Sequence, residues 1–268
     1  MLRLSALYRY PLKSGKGEVL QSAELDKLGL TGDRRWMLVD EASGRFLTQR
    51  AEARMSQLSA LWNADGGLTL ATSGQGSIDI PLPADDAELR GVTIWRDTLR
   101  VPDAGDEAAR WVSEFLGKPT RLVQMPLDRA RTTQSGFGHD DDQVAFADGY
   151  PLLLIGDASL QDLSGKVGRS LEMLRFRPNL VIEGSAAYAE DGWKRIRIGD
   201  IEFRVVKPCS RCIMTTVDPQ TGERSADREP FATLQKHRAT ADGAMFGQNL
   251  VNDRNGRLEV GMPVEILE

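Results

Sequence analysis

The sequence is poor in the residues that most often cross-link a chain or coordinate a metal: its 268 residues hold two cysteines and two histidines. Cys209 and Cys212 are too few to staple a secreted fold and too close in the chain to constrain much of it. No apolar run approaches the roughly 20 residues that span a bilayer; the stretch Pro151 to Ile155 is typical of what there is. The opening residues, MLRLSALYRYPLKSGKG, alternate Leu2, Leu4, Ala6, Tyr8 and Tyr10 with other residues and carry no continuous apolar segment before a small-residue cleavage site. They read as a strand, and predict a cytoplasmic protein that does not cross a membrane. Positive charge is also short, with 34 Lys and Arg against 39 Asp and Glu for a net charge of −5. No bulk positive field exists to hold a nucleic-acid polymer by counterion release. What remains is a composition of 41% hydrophobic and 27% charged residues, ample for a globular core in one large or two ordinary domains.

Most of the chain reads as short strands joined by turns. Arg34 to Asp40 and Arg45 to Arg50 flank Glu41-Ala42-Ser43-Gly44, Leu61 to Ala64 and Leu68 to Thr72 flank Asp65-Gly66-Gly67, and Val92 to Trp95 and Thr98 to Val101 bracket Arg96-Asp97. Meandering strands must protect their edges, which favours a barrel-like sheet. One helix is clear: Ala108, Trp111, Val112, Phe115 and Leu116 fall on one face, with Asp106 placed to cap its start and Gly117 its end. The break at Gly117-Lys118-Pro119 predicts a boundary between a domain over 1–118 and another over 119–268. Asp128 to Asp142 is polar and reads as a long loop, expected to be mobile and to border a substrate entrance. Beyond it, Tyr150 to Ile155 reads as a buried strand and Asp157 to Leu163 as a helix capped by Asp157. Leu180 to Glu183, Ile196 to Val206 and Ile213 to Val217 read as further strands.

The segment Lys207-Pro208-Cys209-Ser210-Arg211-Cys212 places two cations beside two thiols, and a thiolate is the form that attacks electrophiles or binds soft metals. Three other readings stand beside a reactive thiol. Structural zinc would need two more ligands, and His139 and His237 lie almost a hundred residues apart. A thioredoxin-like dithiol wants its pair at a helix start, and a buried, unreactive pair is the third. Tyr10-Pro11-Leu12-Lys13-Ser14-Gly15-Lys16-Gly17 is a strand running into a glycine-rich basic turn able to hold a phosphate or simply to be solvated. It is not a Walker loop, and Gly74-Gln75-Gly76 lacks the rest of a dinucleotide fingerprint. Gly32-Asp33-Arg34-Arg35-Trp36 and Arg175-Phe176-Arg177-Pro178-Asn179 offer planar guanidinium forks and an amide to a phosphate or ring edge, or ordinary salt bridges at strand ends. Asp140-Asp141-Asp142 could bind a hard cation or stay solvated.

In order along the chain, YPLKSGKG, GDRRW, DGYPLLLIGDASL, FRPNLVI, YAEDGW, CSRCIMTTVDPQTGE and MFGQNLV together resemble the MOSC-domain family (molybdenum cofactor sulfurase C-terminal domain), in the two-part form of amidoxime-reducing proteins. The resemblance implies a mainly β fold with a few helices (α+β), in which an N-terminal β-rich domain is followed by a MOSC β-barrel. It implies a molybdenum cofactor, molybdenum bound to a pterin dithiolate, between the two. Cys212 matches the family's thiolate ligand to the metal, and Cys212 and Asp148 are the residues it places in catalysis. Lys13, Ser14, Arg34, Asp148, Arg177 and Asn179 match cofactor-holding positions, joined by Ser210, Arg211, Cys212 and Asn249. The implied activity is reduction of N-hydroxylated compounds (amidoximes, hydroxylamines, hydroxylated nucleobases). The clustered cysteines of an iron–sulfur domain are absent, so the electrons are expected from a separate ferredoxin or flavoprotein. Two alternatives remain: a sulfur or cofactor carrier with a persulfide on Cys212, and a pterin-binding adaptor without turnover.

Overall fold

The computed structural model describes residues 1–133 and 136–268. Its largest element is a nine-stranded sheet. Along the sheet run Glu18–Leu20, Arg3–Arg9, Leu180–Glu183, Leu152–Gly156, Gly243–Asn252, Ile201–Arg211, Arg195–Ile198 and Val264–Ile266, with Ala239–Thr240 paired outside this path to Gly243–Asn252. In this sheet Leu152–Gly156 and Leu180–Glu183 form the parallel pair, and the helix Asp157–Val167 lies in the crossover that such a pair requires. Leu4 N donates to Met262 O, Gly261 N to Leu4 O and Val264 N to Leu2 O, so the first strand closes onto the last stretch of chain and the sheet becomes a barrel. Leu4, Leu7, Leu154, Leu180, Ile196, Phe203 and Leu250 fill its interior.

A second core lies between these strands and the expected helix. Trp36 and Leu38, on the strand Trp36–Asp40, pack with Leu68 and Leu70 against Ala108, Val112 and Leu116 of helix α1 (Asp106–Leu116). Gly117 ends α1 in the left-handed conformation at φ 68°. Its cap is Gly105, however, and Asp106 lies inside the first turn with its carboxylate accepting from Arg121. Helix α2 (Asp157–Val167) likewise begins after Gly156 and holds Asp157 in its first turn, not at its cap. Acidic side chains suit both places, because the first turn exposes unpaired N–H groups. Helix α3 is Phe231–His237. No helix among the described residues is long and apolar enough to cross a membrane.

The hairpin Ser59–Trp62 with Leu68–Thr72 forms around the expected Asp65-Gly66-Gly67 turn, whereas Leu89–Ile94 with Asp97–Pro102 turns one residue earlier than expected: Asp97 pairs with Ile94, so Trp95 and Arg96, not Arg96 and Asp97, make the turn. The arm after Gly44 joins Trp36–Asp40 only loosely, through Asp40 N to Arg45 O and Leu47 N to Leu38 O. Ile213–Thr216 is a 3₁₀ turn, not a strand. Thr215 Oγ1 donates to the Cys212 carbonyl and Thr216 Oγ1 to that of Ile213, a local pairing that outcompetes the extended form favoured by β-branching.

Strand pairing crosses the break after Lys118. Thr120–Gln124 pairs with Trp36–Asp40, Arg3–Arg9 with Leu180–Glu183, and Gly256–Glu259 with Ser22–Asp26. Loops from both halves therefore meet at one seam.

Candidate functional site

A cavity of about 300 Å³ lies at this seam. Its wall includes Lys13 and Ser14 from the turn after the first strand, Arg34 before Trp36, and Asp148 before Leu152. Arg177 and Asn179 enter from the segment leading into Leu180–Glu183, Ser210, Arg211 and Cys212 from the end of Ile201–Arg211, and Asn249 from Gly243–Asn252. The structure thus brings all ten nominated residues to one place. It adds Arg50, Arg175 and Lys207, and the wall then holds seven Lys and Arg against one carboxylate, that of Asp148. Asp33 and Asp218 pair with Arg34 and Arg175 behind the wall, and the cationic excess that is left, in a chain of net charge −5, marks a site for an anion.

Backbone strain is concentrated here. Among the described residues six non-glycine residues have positive φ, and Ser14 (64°), Arg34 (47°) and Arg177 (54°) are three of them, all on the cavity wall. Left-handed geometry at such residues is unfavourable and persists where surrounding contacts over-determine it. Those contacts are visible. Arg34 Nη1 donates to Asp33 Oδ2 at 2.5 Å and to Asn179 Oδ1 at 3.0 Å, and its Nη2 to the Arg177 carbonyl at 3.0 Å. Arg177 Nη1 donates to Gly15 O at 2.6 Å. The two guanidinium groups lie over the Tyr10 ring, 4.3 Å and 4.2 Å from its centroid. Burial, followed by the charge of Arg34, pulls the Arg177 guanidinium down to about 10. Asn179 is fully buried; its carbonyl oxygen accepts from Arg34 and Leu153 N and its amide donates to Tyr8 O. It holds Arg34 in place more than it offers an edge to a ligand.

Lys13 is buried, and its Nζ donates to Phe146 O at 2.7 Å and to Asp148. Burial lowers its ammonium to about 8, against the opposing pull of Asp148. Desolvation by the cavity wall raises the Asp148 carboxyl, although the side chain keeps 58% exposure, but the charge and hydrogen bond of Lys13, the charge of Arg50 and the Trp95 indole outweigh it, leaving the group well below the usual carboxylate range.

The two cysteines are both half-buried and free, and each has its own arginine. Arg211 Nη1 donates to Cys209 Sγ at 3.0 Å, whereas Arg50 Nη2 donates to Cys212 Sγ at 3.3 Å. The neighbour in sequence thus serves the other thiol, and the cation at Cys212 comes from the opposite half of the chain. Nothing in the residues around Arg50 signals this. Cys209 to Arg211 is strand and Cys212 is extended, at φ −135° and ψ −179°. Three extended steps separate the two Cα atoms by ~10 Å, beyond disulfide reach, so the dithiol reading fails. Zinc fails as well: among the described residues one group of three potential ligands converges, His139, Asp141 and Asp142, and it includes neither cysteine. Asp142 is itself buried and paired with Arg204.

The polar segment from Asp128 to Asp142, expected to be one long loop, carries short strand pairing and polar anchors near its ends. Arg131–Thr132 pairs with Gln143–Val144, and buried Arg131 donates to Ala145 O at 3.0 Å and to Asp97 at 2.9 Å. Its apolar content was too low to reveal these polar anchors. Near its tip the Phe137 carbonyl accepts from Tyr150 and the Phe137 ring lies 4.4 Å from Lys207 Nζ, so this part touches two residues of the cavity wall without itself lining it. Gln134 and Ser135 lie outside the described residues.

The family model of the MOSC N-terminal beta barrel domain matches residues 1–119, and that of the MOSC domain matches residues 141–265. The chain belongs to the MOSC family. Among its relatives, the mitochondrial amidoxime-reducing component 1 of Mus musculus and that of Homo sapiens are each 35% identical to it, over 98% of this chain and 82% of theirs. The mitochondrial amidoxime reducing component 2 of Bos taurus is 34% identical over 97% of this chain and 82% of its own. The wall of this MOSC chain's cavity also suits the cofactor implied by the family. Arg177 Nη2 and Arg211 Nε are buried there without a hydrogen-bond partner, donors of the kind an anionic ligand satisfies, and Cys212 adds one soft sulfur beside them.

Proposed function

We propose that the chain is a molybdenum-cofactor oxidoreductase that reduces N-hydroxylated compounds to the corresponding N–H compounds. The observation that carries the reading is a seven-to-one excess of cations around a cavity with Cys212 in its wall. Lys13, Arg34, Arg177 and Arg211 would hold the phosphate and pterin through charge-assisted hydrogen bonds, and Cys212 would supply the thiolate. When bound, the cofactor supplies a two-electron centre, with which an N–OH group, two electrons and two protons give N–H and water. Asp148 stays ionised beside Lys13, so its part is to accept hydrogen bonds from the N–H or O–H groups of a substrate, not to donate a proton at neutral pH. Electrons would come from a separate iron–sulfur or flavin protein docking transiently.

The test is metal and pterin analysis of the purified chain, followed by anaerobic benzamidoxime reduction with reduced viologen. Molybdenum and pterin at comparable stoichiometry with turnover is the expected result. A persulfide on Cys212 with no molybdenum would replace this reading by that of a sulfur carrier, and cofactor without turnover by that of an adaptor.

A further inference from the structure

Arg50, outside the sequence motifs, reaches the Cys212 sulfur, and Trp95, also outside them, backs it. Besides donating to Cys212 Sγ at 3.3 Å, Arg50 Nη2 lies 3.9 Å from Asp148 Oδ2. The Arg50 guanidinium rests on the face of Trp95, 4.8 Å from the ring centroid. Its backbone is fixed as well, because Arg224 donates to the carbonyls of Gln49 and Arg50 and bridges back to Val217, just past the cysteine. A long, freely rotating arginine is thereby held along its side chain and at its main chain.

Trp95 breaks a local rule. Ile94 pairs with Asp97, so Trp95 and Arg96 form a two-residue hairpin turn, and Trp95 has φ 55° at the first central position. Hairpins with positive φ there favour glycine, and a bulky residue is strained. Trp95 is also 41% exposed, so core burial does not explain its presence. What holds it is a closed circuit of contacts. Trp95 Nε1 donates to Asp148 Oδ1 at 3.3 Å, the Trp95 ring meets Phe46 at 5.0 Å, Lys13 Nζ lies 5.5 Å from the Phe46 centroid, and Lys13 pairs with Asp148.

We propose that Trp95 and Arg50 are positioning residues that form a clamp: Trp95 presses Arg50 onto Cys212 Sγ and steadies Asp148, so the N-terminal half of the chain fixes the direction in which the soft donor of the C-terminal half points. The contacts of Trp95 with Asp148, Phe46 and Arg50 hold the strained turn in place. The effect on cofactor holding rests on the reading of Cys212 given above; the contact itself does not.

The test uses Trp95→Gly, Arg50→Ala, their combination and Trp95→Phe in the full chain, with thermal midpoint as the control for folding. In the crystal structure of Trp95→Gly, Arg50 is expected to leave hydrogen-bonding distance of Cys212 while the backbone of 45–50 stays in place. Molybdenum and pterin retained per chain after gel filtration should fall on the order of tenfold in either single variant, as for other residues that orient a metal ligand. The double variant should fall no further, because one residue acts through the other. Trp95→Phe, which keeps a ring face for the guanidinium, should recover most of the loss. Arg50 still bonded to Cys212 in Trp95→Gly would overturn the clamp, as would additive losses in the double variant. A wild-type chain free of molybdenum and pterin would overturn the proposed function instead, leaving the crystallographic comparison to decide the clamp.

Discussion

Arg34 and Arg177 line the same cavity and share Tyr10, yet they should fail differently when removed. Asp33 is buried at 2% exposure, and its carboxylate accepts from Tyr10 N at 2.8 Å and from Arg34. Arg34→Ala strands that charge, removes one of the two donors to Asn179 Oδ1 and unpairs the Arg177 carbonyl. Removing one partner of a buried ion pair destabilises by about 3 to 5 kcal/mol. Water reaching Asp33 through the cavity and its remaining bond to Tyr10 N place the expected loss near the lower end, about 3 kcal/mol. For a chain of this size that corresponds to a fall in thermal midpoint of roughly 6 to 12 °C. Arg177→Met, in contrast, keeps an apolar stem on Tyr10, gives up one bond to Gly15 O, and relieves the repulsion between two cations stacked on one ring. The lost bond and the relieved charge nearly offset, so about 1 kcal/mol or less is expected. Cofactor retention should fall in both. The assay is urea unfolding of the apo chain, followed by pterin content per chain. Coincident unfolding curves for wild type and Arg34→Ala would refute the reasoning, and so would equal destabilisation by the two variants.

Cys212→Ser should abolish molybdenum retention because a hard alcohol replaces a soft thiolate, whereas Cys209→Ser should be mild, since Cys209 sits with Arg211; equal metal loss from both would contradict the assignment. Lys13 makes the site pH-dependent: with its ammonium lowered to about 8 from the ordinary 10.5, the folded chain sheds this proton first. Between those values the unfolded chain binds more protons, so this residue's contribution to stability rises with pH while its charge toward an anion is lost. Pterin retention should therefore decline as pH rises through about 8 and lose that step in Lys13→Met; a flat wild-type profile would count against it. Gly17→Ala would set a methyl 2.4 Å from the Tyr10 ring, so it should displace the ring, destabilise by about 1 to 3 kcal/mol and lower pterin retention, with unchanged unfolding as the contrary result.

How much of this was legible follows from how local each signal is. The hairpins and the face of α1 are encoded within a few residues, and the structure reproduces them, although the second turn falls at Trp95-Arg96, one residue before the expected Arg96-Asp97. The nominated site residues sit in short dense motifs whose glycines and arginines already suggest strand ends. Arg50, Trp95 and the anchors Arg131 and Asp142 were missed because their roles come from partners far along the chain: Arg50 lies 162 residues from Cys212, and Trp95 lies 53 from Asp148. Ile213–Thr216 was misread because its propensity was taken from β-branching, while two hydroxyls had a nearer bond to make. The same hydroxyls, at i+3 from their acceptors, were the available warning.

The seam explains why the site is built as it is. Of the groups around the cavity, Lys13, Arg34 and Arg50 belong to the first half of the chain, while Asp148, Arg177, Arg211 and Cys212 belong to the second. Each half alone would present a concentration of like charge or a lone thiol, and neither would be held. The strands that hold them cross in both directions, with Arg3–Arg9 seated beside Leu180–Glu183 and Thr120–Gln124 beside Trp36–Asp40. A chain cut after Lys118 and expressed as two pieces should therefore not yield two folded domains, since each piece would expose strand edges that the other covers. Circular dichroism and hydrogen exchange of the separate pieces, alone and mixed, check this. Native-like protection in residues 119–268 alone would show that the barrel closes without its first strand, and the seam would then be a docking surface between two finished domains instead of a place where both are completed.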